Sequence, residues 1–185
     1  MTVAECEAQV LRLLDEVGSG DYRDRIYKLI EAAQTEIATQ WAFIRKKKVV
    51  AAEDGEAIAL PEDCYAIEKV IGGDYELEPV ETESGWVDGA IFSGSENGTY
   101  TLYYKAYPDR IENGDGGKKI QLPREYHSAL CYRVAALTRD RELDSEARAY
   151  NVFMQQYNDE ISMIERSKNM TKKAKVIIRG RTQFY

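Results

Sequence analysis

The run YTLYYKAY at Tyr100–Tyr107 is the most strand-like stretch of this chain. Aromatic and β-branched residues dominate it, and both types are enriched in β-strands. Aromatic side chains fall on both of its faces, which predicts a strand buried on one side and in contact with a partner on the other. The alternative is that the tyrosines only cover a small core. The candidate interface aromatics are Tyr100, Tyr103, Tyr104 and Tyr107.

Glycine and proline mark a turn-rich region around this run. All four prolines lie in residues 61–123, and ten of the 13 glycines lie in residues 55–117. Short apolar runs alternate there with turn signals, which predicts a β-rich segment with three hairpins. The runs expected to pair are Val49–Ala52 with Ala57–Leu60 across Asp54-Gly55, Cys64–Ile71 with Tyr75–Val80 across Gly72-Gly73, and Ala90–Phe92 with the run from Thr99 across Asn97-Gly98.

Helical periodicity precedes the β-rich segment. Thr2 and Glu5 form a capping box, which predicts a first helix over about residues 3–17, ended by glycines at 18 and 20. Asp21 is the expected cap of a second helix, whose apolar spacing continues to Trp41 and Ile44. The sequence Arg45–Lys48 would end this helix, because positive charge suits the negative end of the helix dipole.

Helical periodicity also follows the β-rich segment. A third helix is expected after Pro123, and a fourth one carries apolar residues at alternating spacings of four and three. The predicted fold class is α+β: an antiparallel bundle of about four helices, with a β-rich insertion between helices 2 and 3 and a basic C-terminal arm. The corresponding segments are the N-terminal helices 1–48, the β-rich insertion 49–123, the C-terminal α-hairpin 124–168 and the arm 169–185.

The charge of the C-terminal arm opposes that of the remaining chain. The formal net charge is −7 and residues 166–185 carry seven cations and no acid, so residues 1–165 carry −14. An acidic body repels nucleic-acid phosphates, whereas a basic arm favours an anionic partner. Apolar residues within the arm indicate a docking segment; a solvated, frayed end is the alternative. The candidate partner-binding residues are Lys172, Lys173, Lys175, Ile177, Arg179, Arg181, Phe184 and Tyr185.

Residue patterns typical of enzymes and cofactor sites are missing from the sequence. The chain has no GxxxxGK[ST] loop, and the glycines at 114–117 indicate a turn rather than a phosphate cradle. Three widely spaced cysteines and one histidine predict neither a disulfide framework nor a metal site. We therefore expect no enzyme, no metal and no cofactor. One enzymatic alternative is a pair formed by His127 and Cys131, one helical turn apart.

Several short sequence segments, in their order along the chain, resemble those of a known family. Leu60-Pro61-Glu62-Asp63 leads into Ile67–Val70 after a pair of helices, and Tyr100–Tyr107 precedes Pro108-Asp109. Ile120–Leu130 then opens an α-hairpin whose second helix is Tyr150–Ile164. In this order the chain resembles bacteriophage head-to-tail adaptor (connector) proteins, and most closely the tail tubular protein A family of short-tailed phages.

The resemblance implies a structural virion protein of the neck or tail, assembled in the host bacterial cytoplasm. Such a protein would form a dodecameric ring that docks on the portal protein and contacts tail or nozzle proteins. DNA would pass through its channel without specific binding, and no membrane would be involved. Two alternatives stay open: a small nucleic-acid-binding accessory protein that uses the basic arm, and another phage neck or tail-completion protein.

Overall fold

The computed structural model of the protein describes the backbone of residues 1–14, 23–53, 57–72, 75–77, 90–92, 97–139 and 144–181. Helices and antiparallel strands are both present, so the predicted α+β class is confirmed. The antiparallel bundle with a β-rich insertion stays a prediction. The chain divides into two compact units, Met1–Ile37 with Arg110–Tyr185 as the first and Ala38–Asp109 as the second. The helices are α1 (Val3–Leu13), α2 (Arg23–Gln40), α3 (His127–Leu137) and α4 (Asp144–Arg181).

The first helix begins as the sequence predicts. The hydroxyl of Thr2 accepts a hydrogen bond from the Glu5 amide at 3.2 Å, and the Thr2 amide donates to the Glu5 carboxylate at 2.9 Å. These two bonds complete the capping box and satisfy two amides that the helix itself leaves open. The predicted end of this helix near residue 17 is wrong, because α1 ends at Leu13 with Leu14 as its C-cap. The glycines at 18 and 20, which were expected to end it, lie outside the described residues.

In the first unit, α3 packs against both α1 and α4. Ala129, Ala135 and Ala136 of α3 are buried, and such small side chains allow close approach of neighbouring helices. Leu130 and Val134 are fully buried, so α3 is apolar around much of its circumference, as expected for a central helix. None of the described helices is long and apolar enough to cross a membrane.

The second unit contains a four-stranded antiparallel sheet in the order β1-β6-β3-β4. A separate two-stranded sheet pairs β2 with β5. One face of the larger sheet packs into a core formed by Ala52, Ile58, Val70, Tyr100 and Leu102. The strands are β1 (Ile44–Ala52), β2 (Ala57–Ala59), β3 (Cys64–Gly72), β4 (Tyr75–Leu77), β5 (Ala90–Phe92) and β6 (Gly98–Ala106).

The prediction that the second helix includes Trp41 and Ile44 and ends on Arg45–Lys48 is wrong. The helix ends at Gln40, and the basic residues belong to β1, which pairs along its whole length with β6. The helical spacing and the favourable charge at a helix end are local signals. Nine residue pairs with a strand distant in sequence outweigh them.

Only one of the three predicted hairpins is confirmed. Strands β3 and β4 pair antiparallel, with Gly72 opposite Tyr75. The hairpins predicted at Asp54-Gly55 and Asn97-Gly98 are wrong, because β1 pairs with β6 and β2 pairs with β5. Turn dipeptides tolerate a reversal of the chain, but the burial of apolar faces decides which strands pair.

The two C-terminal helices follow the predicted order. A 3₁₀ turn at Arg124–Tyr126 leads from Pro123 into α3. In α4, Tyr157 and Ile161, which belong to the apolar residues spaced alternately by four and three, are buried. The glycine-rich loop forms a 3₁₀ turn at Asp115–Gly117, and Gly114 before it has a φ of 105°, a left-handed conformation that favours glycine. The backbone of α4 continues without interruption through Arg181.

Candidate interaction surfaces

The backbone of α4 is helical from Asp144 to Arg181, and contacts with α3 and the turn before it are described for its part up to Lys168. Contacts between α3 and α4 run antiparallel: the Ser128 hydroxyl donates to Glu160 at 3.3 Å, and the Tyr126 hydroxyl donates to Glu165 at 3.1 Å. Lys168 donates to the hydroxyl of Tyr126 and also lies 3.2 Å from Glu165. Lys168 is the last residue of α4 named in these contacts, and the helical backbone continues to Arg181. At about 1.5 Å per residue, the remaining helix is about 20 Å long.

The predicted docking residues fall on this extension and beyond it. The backbone at Lys172, Lys173, Lys175, Ile177, Arg179 and Arg181 is helical. Phe184 and Tyr185 lie outside the described residues. Most of the arm is therefore helical and continuous with the hairpin, so its basic positions share one axis with the packed part of α4.

A second surface is the outward face of the large sheet in the second unit. Residues opposite each other on antiparallel strands place their side chains on the same face. In β1 and β6, Arg45 is opposite Lys105 and Lys47 is opposite Tyr103, while Lys69 of β3 is opposite Tyr103 from the other side. We call the surface formed by these five residues the cationic face.

Cation–π contacts hold two lysines of the cationic face. The amine of Lys69 lies 5.0 Å from the centre of the Tyr103 ring, and the amine of Lys105 lies 3.8 Å from the centre of the Phe43 ring. Arg45 forms an ion pair with Glu68, with distances of 2.8 and 3.0 Å from its Nε to the two carboxylate oxygens. The Arg45 charge is thus neutralised locally, and the amines of the lysines remain available.

The four candidate tyrosines of β6 and its end do not share one environment. Tyr100 and Tyr104 are only 4% and 5% exposed and point into the second unit. Tyr103 lies on the opposite face. Tyr107 is 44% exposed, and its ring centre lies 5.0 Å from that of Tyr65, with the two rings tilted by 41°. The interface hypothesis therefore concerns Tyr103 and Tyr107.

Sequence reasoning missed the lysines of the cationic face. It placed Arg45–Lys48 at a helix end, where all four would be solvated together. If the segment is interpreted as a strand, Arg45 and Lys47 fall on one face of the sheet and Lys46 and Lys48 fall on the other. The pairing with Lys69 and Lys105 is not visible without the sheet register.

An open cleft of about 710 Å³ between α1 and α3 contains His127 and Cys131. His127 Nε2 lies 3.1 Å from the carbonyl oxygen of Leu122, to which it donates in the corresponding tautomer. Burial lowers the pKa of His127 below its usual value and so favours the neutral ring. The Cys131 thiol donates to the amide oxygen of Gln9 at 3.1 Å.

The second thiol beside this cleft is Cys6. Its sulfur lies 3.8 Å from that of Cys131, and both side chains are buried. The hydrogen bond between the two sulfurs and the burial raise the pKa of Cys6, while the same bond lowers the pKa of Cys131. His127 and Cys131 thus each have a partner of their own in the packed unit. Within the described part of the chain, no group of three or more His, Cys, Asp or Glu residues is arranged to hold a metal ion.

A protein family matches nearly the whole chain. The model of the SU10 adaptor protein family matches residues 1–177, which cover both compact units and nearly all of α4. No curated protein matches the chain.

Proposed function

Because the chain belongs to the SU10 adaptor protein family, which makes it a structural head-to-tail adaptor of a phage virion, we propose that it forms a ring docked on the portal protein. As an adaptor it interacts with other head and tail proteins of the phage. In the proposal the ring is dodecameric, links the capsid vertex to tail or nozzle proteins and leaves a channel for DNA. It assembles in the host bacterial cytoplasm and has no enzymatic activity.

The helical extension of α4 beyond Lys168 is the observation that carries portal docking. A helical segment about 20 Å long that carries basic residues is well suited to lie along another protein. It is preorganised by its continuity with the packed part of α4, so docking would cost less conformational entropy than ordering a free tail. Its basic positions favour an anionic strip on the portal.

A ring also needs two different surfaces on each copy. Contacts between neighbours in a closed ring are heterologous, so one surface of a copy meets a second, complementary surface of the next. The net charge of −7 gives the chain as a whole no simple attraction for DNA. Free passage of DNA agrees with that sign of charge.

Deleting residues 170–185 tests the docking proposal. The shortened protein keeps every described contact between α3 and α4 up to Lys168, so its fold should persist, which far-UV circular dichroism would check. We expect binding to the portal protein of the same phage to weaken at least about tenfold, since hot spots of this kind contribute about 2 kcal/mol or more. Unchanged portal binding by a folded truncation would remove the extension from the proposal.

A charge-matched pair of variants distinguishes the contribution of positive charge to portal binding from that of the helix itself. K172Q/K173Q/K175Q removes three positive charges from the extension, and glutamine has nearly the helix propensity of lysine. The control R25Q/R148Q/R166Q removes three charges from exposed positions on α2 and α4. The first variant should weaken portal binding and the control should not. Equal weakening of portal binding by both variants would mean that binding depends only on the net charge of the protein.

A further inference from the structure

We propose that the cationic face of the sheet docks an acidic segment of a second copy of this chain, residues 74–96. This proposal rests on the proposed ring, because it names one of the two complementary surfaces that neighbouring copies need. The argument follows from the distribution of charge within the second unit.

Positive charge in the second unit is confined to the large sheet. Residues 38–109 contain six cations and 14 acids, for a net charge of −8. All six cations lie on three adjacent strands, β1, β3 and β6. Lys46 pairs on the other face with Asp63, at 2.7 Å. The cationic face therefore stands out as a positive patch in an otherwise acidic unit.

Three lysines of the cationic face are arranged to bind an anionic group of another molecule. Lys47 is exposed, and the amines of Lys69 and Lys105 are held over aromatic rings. Among the described residues, none of the three forms an ion pair within 4.0 Å with a carboxylate. Lysines that are already restrained lose less side-chain entropy when an anion binds.

Apolar surface accompanies the charge. Phe43 is 36% exposed and Val49, two residues beyond Lys47 on the same face, is 59% exposed. Exposed aromatic and aliphatic groups beside cations are typical of protein interfaces and contribute little to contacts with duplex phosphates. They favour a polypeptide as the occupant.

Residues 74–96 of the same sequence have the complementary character. They hold seven acids and no cation, together with the apolar residues Val80, Trp86 and Val87. Apart from Tyr75–Leu77 and Ala90–Phe92 they lie outside the described residues, so their charge is taken from the sequence. A chain that carries both a cationic face and this acidic segment can join copies head to tail, with one kind of contact repeated around a ring.

Addition of a strand to the free edge of β1 is a less suitable use of this region. β1 is an edge strand of the sheet, and the exposed Lys47 and Lys48 lie along it. Charged side chains on an edge strand oppose pairing with another strand. Docking across the face avoids this obstacle.

Carbodiimide cross-linking of mixed isotopic copies tests the proposal on the full chain. The reagent joins lysine amines to carboxylates in direct contact, and equal amounts of unlabelled and nitrogen-15 protein distinguish contacts between copies from contacts within one. We expect mixed-isotope links from Lys47, Lys69 or Lys105 to acids within residues 74–96. Links found only within one copy would overturn the proposal, as would a wild-type protein that stays monomeric at every concentration tested.

Charge reversal supplies the matched variants. K47E/K69E/K105E and E76K/E78K/E81K should each weaken self-association on the order of tenfold, and mixing the two should restore it. The control K28E/K119E/R148E reverses three exposed charges outside the second unit and should associate like wild type. Failure of the mixture to associate would overturn the proposal.

A duplex DNA probe and the virion complete the test. Duplex DNA that binds wild type, but not K47E/K69E/K105E, without the mixed-isotope links would make the face a nucleic-acid site and overturn the proposal. The adaptor role is measured separately, by whether the chain is present in assembled virions. A chain found in virions without the predicted links would refute the docking surface and leave the adaptor role intact.

Discussion

Replacing Arg133 tests how α2, α3 and α4 are held together. The guanidinium Nε and one terminal nitrogen each lie 2.8 Å from the same carboxylate oxygen of Glu36, and the other terminal nitrogen lies 3.1 Å from the sulfur of Met154. The central carbon of the Arg133 guanidinium also lies 5.8 Å from the centre of the Tyr157 ring. One side chain of α3 thus contacts both α2 and α4.

The expected cost follows from the burial of this ion pair. The side chains of Arg133 and Glu36 are 14% and 26% exposed, so solvent screens the pair only in part. Loss of one partner of a fully buried pair costs about 3–5 kcal/mol, and an exposed pair contributes less than about 1 kcal/mol. We expect R133M to lower the free energy of unfolding by about 2 kcal/mol, since methionine retains apolar packing but forms no ion pair.

Urea unfolding followed by far-UV circular dichroism measures this effect. E36Q should cost about 1 kcal/mol, because its amide oxygen can still accept from Arg133. The double variant should cost less than the sum of the two, by about 1 kcal/mol. R148M, at an exposed position of α4, should change stability by less than about 0.5 kcal/mol. An R133M variant as stable as R148M would refute the reasoning.

Two further predictions concern titratable groups. Burial alone would raise the pKa of Asp63, but the hydrogen bond and charge of Lys46 and the hydroxyl of Tyr104 outweigh it, so the folded pKa lies below the usual value. The stability from this pair is complete above the unfolded pKa of about 4 and is lost as pH falls through the lower folded value. D63N should therefore show a flatter dependence of unfolding free energy on pH below about 4, and identical profiles would contradict this. In thiol labelling, the partly exposed Cys64 should react well before the buried Cys6 and Cys131, and C64S should remove the fast phase. A fast phase that survives in C64S and is mapped to Cys131 would revive the enzymatic alternative.

Local signals explain which parts of the fold were predictable from the sequence. The capping box of Thr2 and Glu5, the strand at Tyr100–Tyr107 and the hairpin at Gly72-Gly73 each depend on residues close together in the chain. Each of these predictions is confirmed. Aromatic residues on both faces of this run also predicted one buried face and one face in contact with a partner, although they could not tell which face is buried.

The errors have one physical cause. Strand β1 contains Arg45–Lys48, whose composition is as compatible with a helix end as with an edge strand. Its partner β6 is more than 40 residues away in sequence, and such pairings depend on the burial of a shared face rather than on turn residues. The same limitation concealed the pairing of β2 with β5 and the pairing of β1 with β6, on which the cationic face depends.

Function was predictable at the level of protein class. The match to the SU10 adaptor protein family confirms the expected phage head-to-tail adaptor, while the narrower resemblance to the tail tubular protein A family is not confirmed. The expectation of an adaptor rested on the order of short sequence segments between Leu60 and Leu130. Surfaces for particular partners could not follow from it, because a partner is recognised by side chains that only folding brings together.

The most direct test of the account is the light-scattering mass of the protein, measured alone and after mixing with the portal protein of the same phage. We predict a large complex that contains the portal and many copies of this chain. A protein that remains a monomer and ignores the portal would contradict the account.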